Sequence, residues 1–132
     1  MESIANFKLI VNEIRLKNHE LTERSFNIEP KITRNIVKME NDNYSVELNF
    51  SITNTEEKPF PIDLFVSMAG NFDLQTFPQE QKEDFLNIQA VQIIFPYMRN
   101  IISTITTASF MPPLVLPIVD VNSLVYEKEN IE

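Results

Sequence analysis

His19 is the only histidine in 132 residues, and there is no cysteine. A thiolate nucleophile, disulfides, Cys-ligated zinc or iron–sulfur clusters and sites built from several histidines are therefore excluded. His19 lies in the polar run Asn18-His19-Glu20 and reads as a surface-loop residue. A Ser-His-Asp set can be drawn on paper with Asp120, but no spacing fixes its geometry. Glu56-Glu57 reads as a solvated hairpin tip. Glu80, Glu83 and Asp84 read as first-turn carboxylates, which a helix dipole favours. Gly70 is the single glycine, so neither a dinucleotide fingerprint nor a P-loop can be built. No enzyme activity, cofactor or metal site is expected.

The charge balance narrows the partners. Eleven basic and nineteen acidic residues give a net charge of −8, which repels phosphate backbones and anionic lipid. Nucleic acid and membrane are poor partners for such a chain. With 43% hydrophobic and 23% charged residues, the composition is that of one folded domain spanning residues 1–132. The start has no basic segment followed by an apolar one. No apolar run approaches the ~20 residues of a membrane span. A cytosolic protein is expected.

The elements that must position any site follow from periodicity. In residues 6–17, Phe7, Leu9 and Val11 alternate, then the apolar phase slips by one to Ile14 and Leu16. That slip predicts a strand with a bulge near Asn12-Glu13. Residues 28–39 fit neither period well, and Pro30 bars a central-strand position, so an extended crossing segment is expected. Asn41-Asp42-Asn43 marks a turn. Tyr44, Val46, Leu48, Phe50 and Ile52 alternate cleanly with polar residues, as in a half-buried antiparallel strand. A second long strand is expected from Phe60 to Leu74. Its late residues are apolar on both faces, which predicts a covered outer face.

After residue 75 the period becomes helical. Thr76, Pro78 and Gln79 look like a helix start. Phe85, Ile88, Val91, Ile94, Met98, Ile101 and Ile105 form a stripe. Pro96 predicts a break, with one helix ending near Ile94 and another starting near Pro96. Helices are thus expected over about 77–107 and again at 122–129, with a Pro-rich loop at 108–121. Strands first and helices last give an α+β domain: an antiparallel meander of about four strands, over about 6–74, with helices packed on one side.

The apolar residues of the proline-broken stretches carry the functional reading. Ile32, Ile36, Phe110, Leu114 and Leu116 lie where the chain normally runs over the surface. Apolar side chains left there mark a binding surface or a subunit contact. The two-sided apolarity of residues 62–68 and the stripe through Met98, Ile101 and Ile105 predict subunit contacts of their own.

The segment Ile-Ile-Phe-Pro-Tyr-Met-Arg-Asn-Ile-Ile-Ser at residues 93–103 resembles the Leu-Phe-Pro-Tyr-x-Arg-x-x-Ile-Ser signature of the SecB family of protein-export chaperones. Residues 109–118 are similar to that family's Pro-rich Thr-Phe-Pro-x-Leu-x-Leu-x-Pro-Val loop. Residues 43–48 resemble its second strand, and residues 69–72 its Gly-x-Phe turn. The likeness covers about residues 6–126. It implies an α+β subunit assembled as a dimer of dimers, and an ATP-independent chaperone that holds unfolded or nascent polypeptides in surface grooves. It implies Ile32 and Ile36 in the crossing segment, and Phe110, Leu114 and Leu116 in the loop, as client-binding residues. Leu64, Val66 and Met68 match positions at which the family's tetramer is sensitive to substitution. Glu13 matches one acidic contact to the motor SecA. Lys17 and Phe65 stand where other acids are usual, and the sequence stops at Glu132 without the family's acidic tail, which counts against SecA and preprotein export. The resemblance extends to chaperones that hold the antitoxin of a toxin–antitoxin pair. A module that binds one folded partner stays open beside these.

Overall fold

The computed structural model describes residues 6–19, 30–57, 60–111, 114 and 125–127. Four antiparallel strands, β1 (Asn6–Asn18), β2 (Lys31–Lys38), β3 (Asn43–Ile52) and β4 (Ile62–Asp73), form a sheet in the order β1-β4-β3-β2. β2, β3 and β4 are a meander, and β1 returns to pair with β4 at the far side. A short fifth strand, β5 (Val125–Glu127), adds to β2 in parallel. Helices cover one face. The α+β architecture expected from strands first and helices last is therefore present.

β3 buries Tyr44, Val46, Leu48, Phe50 and Ile52, as its alternation requires. On β4, Ile62, Leu64, Val66, Met68 and Phe72 point to the same covered face. Gly70 lies inside β4, opposite Leu9 and Val46, and not in a turn. Its reason is space: a Cβ there would come within 2.8 Å of the Phe72 ring and 3.2 Å of Ile94 Cδ1. The outer face of β4 carries Ser67 and Ala69, small residues already covered within the chain. The β1 bulge falls between Val11 and Glu13. It lets Asn12 reach Glu47 of β3 across the outer face, at 3.5 Å. Between β2 and β3 the chain turns through Asn41 and Asp42, both in the left-handed region. Such turns favour Asn and Asp there.

The helical part runs from α1 (Gln79–Asp84) through a π-helical turn (Phe85–Gln89) into α2 (Ala90–Ala108). Pro78 precedes the first helical residue and disfavours helical backbone at Phe77, so the start falls at Gln79 with no side-chain cap. The expected break at Pro96 does not occur; α2 continues through it. Pro96 lies on the exposed side of α2. Its neighbours Ile94, Phe95 and Met98 are held in the core. The π turn inserts one extra residue, which moves the buried stripe. Ile88 is turned outward, and the buried face continues through Ala90, Val91, Ile94, Met98, Ile102 and Thr106. The helix expected at 122–129 is corrected at Val125–Glu127, which form β5. A free strand edge on β2 satisfies backbone groups there that an isolated short helix could not.

Candidate functional site

α2 ends in an unusual way. Met111 N–H donates to the Thr106 carbonyl at 3.2 Å, and Phe110 N–H to the Thr107 carbonyl at 3.0 Å. These two bonds make a Schellman cap, which places its C′ residue in the left-handed region and normally uses glycine. Here that residue is Phe110, at φ 64°. Its ring is 99% exposed. A large aromatic is thus held in a strained backbone conformation and packs against nothing among the described residues.

Just beyond it, the loop is pinned to the helix. Thr106 Oγ1, itself buried, accepts the Leu114 N–H at 2.9 Å and donates back to the Ile102 carbonyl at 2.9 Å. Ser103 Oγ donates to the Leu114 carbonyl at 3.0 Å. Both backbone groups of Leu114 are therefore bound by hydroxyls one helical turn apart. Leu114 and Met111 lie half-buried against the core.

β2 meets the helical part at its other end, the π turn. Ile32, Arg34 and Ile36 share the helix-facing side of the strand, opposite Phe50, Leu48 and Val46. Arg34 Nη1 donates to the Asn87 carbonyl in the π turn at 2.6 Å. This ties the sheet edge to the helix. The residues that sequence reasoning missed are Arg34, Ser103 and Thr106. Arg34 left a trace: it is what breaks the alternation of Ile32 and Ile36.

The expected client-binding residues divide. Phe110 is fully open, and Ile36 and Leu114 are half-buried. Ile32 is 1% exposed and lies in the core cluster. Leu116 lies outside the described residues. The expected interface residues divide too. Leu64, Val66, Met68 and Met98 are sealed within the single chain and offer no side-chain surface to a neighbour. They belong to the core cluster between the sheet and α2, whereas their patterns in the sequence predict subunit contacts. Ile101 and Ile105 keep part of their surface.

On the opposite side of the sheet, Glu13 is exposed and paired with Arg15. The Arg15 guanidinium lies 4.6 Å from the Phe65 ring centre. Asn12, Glu13, Thr33, Glu47, Asn49, Phe65 and Ser67 line an open hollow of about 440 Å3. Among the described residues, no three acidic or histidine side chains gather as metal ligands.

A sequence profile for the preprotein translocase subunit SecB matches residues 12–131. The chain belongs to the SecB family. It is 38% identical over 104 residues to the protein-export protein SecB of Orientia tsutsugamushi (strain Boryong), covering 76% of this chain and 63% of that one. The chain thus spans under two thirds of the length of that SecB. An uncharacterized protein of Methanocaldococcus jannaschii is 29% identical over 132 residues, covering 98% of this chain and 82% of the relative. In fold, the chain is similar to the Mycobacterium tuberculosis SecB-like chaperone solved in complex with a ChAD peptide from the HigA1 antitoxin. The TM-score is 0.71 at 14% identity, covering 87% of this chain and 90% of that one. The SecB signature maps onto α2 around Pro96, and the Pro-rich SecB loop follows the Phe110 cap. No helix among the described residues is long and apolar enough to cross a membrane.

Proposed function

We propose that this chain is an ATP-independent holdase of the cytosol, which takes up unfolded segments of other polypeptides. Phe110, Leu114 and Ile36 are taken as its client contacts, the rim. The observation that carries this reading is Phe110. A core side chain has no reason to be held at positive φ in full solvent, whereas an anchor for a passing apolar segment does. Alternating client side chains would settle on this rim, with affinity summed over several weak contacts. Membership of the SecB family supports the same role, and the net charge keeps loaded complexes apart.

Assembly belongs to this reading. β1 is an edge strand whose Phe7, Val11 and Ile14 remain partly exposed on the helix side. A second copy laid against that edge, with Ile101 and Ile105 as neighbours, gives a homo-oligomer of the dimer-of-dimers kind and multiplies the rims. Preproteins are the first client class, with Glu13 as the contact to SecA. An antitoxin client is the second reading. It is favoured by the Arg15–Phe65 stack, which replaces acidity on the face where SecA would dock.

Aggregation of a chemically unfolded client, followed by light scattering without nucleotide, tests the proposal. The wild-type chain should delay aggregation. Phe110→Gly should lose most of that delay while becoming more stable by about 1 kcal/mol, because glycine relieves the left-handed strain. Undiminished protection by the variant overturns the rim. No protection by either chain, together with one tight complex with a folded protein, favours the dedicated interaction module.

A further inference from the structure

β5 pairs with β2 in parallel, with Ile32 opposite Val125, Thr33 opposite Tyr126 and Arg34 opposite Glu127. Among the described residues it is the one parallel pairing in a sheet that is otherwise antiparallel. It also lies on the strand that carries Ile36 of the proposed rim. β2 is bonded to β3 along one side through all eight of its residues, so its other side is the edge at which an extended segment can be added. The chain itself fills three positions of that edge. These are the positions at which Arg34 ties β2 to the π turn, so the edge is rigid where it is taken. We infer that β5 is an internal stand-in for the client: an incoming extended segment pairs with β2 in the same parallel direction and register, and must displace Val125–Glu127 to do so.

This rests on the holdase reading and adds to it a direction of entry and a built-in competitor. Strand addition recognises the backbone of a partner, with side-chain preference left to flanking pockets. That suits a site for segments of unrelated sequence. A tethered competitor acts at a high effective concentration, so short or weakly apolar segments lose to β5. Longer, more apolar segments win. The ladder is only three residues long, which makes it easy to displace.

The chain contains no cysteine, so an introduced pair is unique. Thr33→Cys with Tyr126→Cys joins residues in register on neighbouring strands, where a spacing of about 4.8 Å is within disulfide reach. The probe is a fluorescein-labelled, fifteen-residue extended apolar peptide, roughly the length that spans the rim, read by anisotropy against the full-length protein. Oxidation should weaken binding at least tenfold, and dithiothreitol should restore it. Separately, Tyr126→Pro, which breaks the ladder at its centre, should tighten binding severalfold and leave the melting temperature within a few degrees. Unchanged affinity on oxidation overturns the stand-in while leaving the holdase intact. Failure of the pair to form a disulfide overturns it as well, because the strands are then not side by side. If neither the wild type nor any variant binds the peptide or delays aggregation, the holdase reading falls and the stand-in with it.

Discussion

β1 and β2 lie on opposite flanks of the antiparallel sheet, and they are finished differently. β1 is thirteen residues long, pairs only with β4 among the described residues, and leaves Phe7, Val11 and Ile14 at 41, 43 and 38% exposure. β2 seals Ile32 at 1%, anchors Arg34 to the helix and has β5 along its free side. The cause is where the helix lies. α2 packs over β3 and β4, and the π turn leans toward β2 through the Arg34 contact. β1 projects past that cover. An uncovered apolar edge can take a lasting partner, whereas an edge closed by a short strand of the same chain can be opened and closed. This contrast fits the proposed assembly at one flank and the proposed exchange of clients at the other.

The largest expected effect breaks the β1 flank. Val11→Asp combined with Ile14→Asp puts two charges on the stripe. Each apolar side chain buried in a contact is worth about 1.5–3 kcal/mol, so the pair should weaken assembly by roughly 10²- to 10⁴-fold. Light scattering should show wild-type oligomers at micromolar concentration and a 15.4 kDa species for the variant. A wild type that runs at 15.4 kDa removes the distinction between the two flanks.

The next effect acts on the β2 flank. Arg34→Met keeps the stem and deletes the charged donor to the Asn87 carbonyl. A hydrogen bond from a charged group contributes about 1.5–3 kcal/mol, and denaturant titration should show a loss in that range with an unchanged slope. A change below about 0.5 kcal/mol would mean that β2 is held by its strand pairing alone. In the peptide experiment, the same variant should loosen binding, since the edge no longer has a fixed distance from the helix.

Much of this was legible in the residues, and the misses have physical causes. β3 follows a period of two because one face meets α2 and the other is half-open to water, and the slip at Asn12-Glu13 is the bulge itself. β2 was read as an irregular crossing because a buried-face arginine interrupts it. That arginine is intelligible only once Asn87 is known to face it. The helical stripe drifted at Ile88 because a π turn leaves no mark in a count of threes and fours. β5 was read as helix because its partner is some ninety residues away, and short segments take the structure their surroundings allow. At the site, Phe110 and Leu114 stood out as apolar residues among prolines. The hydroxyls that pin Leu114 did not, since Ser and Thr in a helix commonly bond back to their own turn. The burial of Ile32 was hidden for the converse reason: local sequence shows an irregular stretch, and only tertiary packing buries it.

The smallest effect sharpens the β1 flank at its far end. His19 N–H donates to the Pro61 carbonyl at 2.7 Å, and His19 Nε2 lies 3.0 Å from Asp63 Oδ2. Asp63 Oδ1 also accepts the Asn54 N–H at 2.7 Å. Burial on its own would raise the Asp63 carboxyl; the Asn54 N–H, His19 and the Lys17 charge outweigh it and hold the carboxyl below its ordinary value. A lowered folded-state pKa means that the ionised form stabilises the fold. That contribution is complete above the unfolded value of about 3.9 and is lost as the pH falls through the folded one. The pair is partly exposed, so its contribution is under about 1 kcal/mol. Asp63→Asn should therefore lower stability slightly at pH 7, with the gap from wild type closing below about pH 4. A gap that stays constant from pH 7 to pH 3 would assign the contact to shape rather than charge. The end of β1 would then be held by the Pro61 carbonyl, and the oligomer formed at that flank should show no loss at low pH from this source.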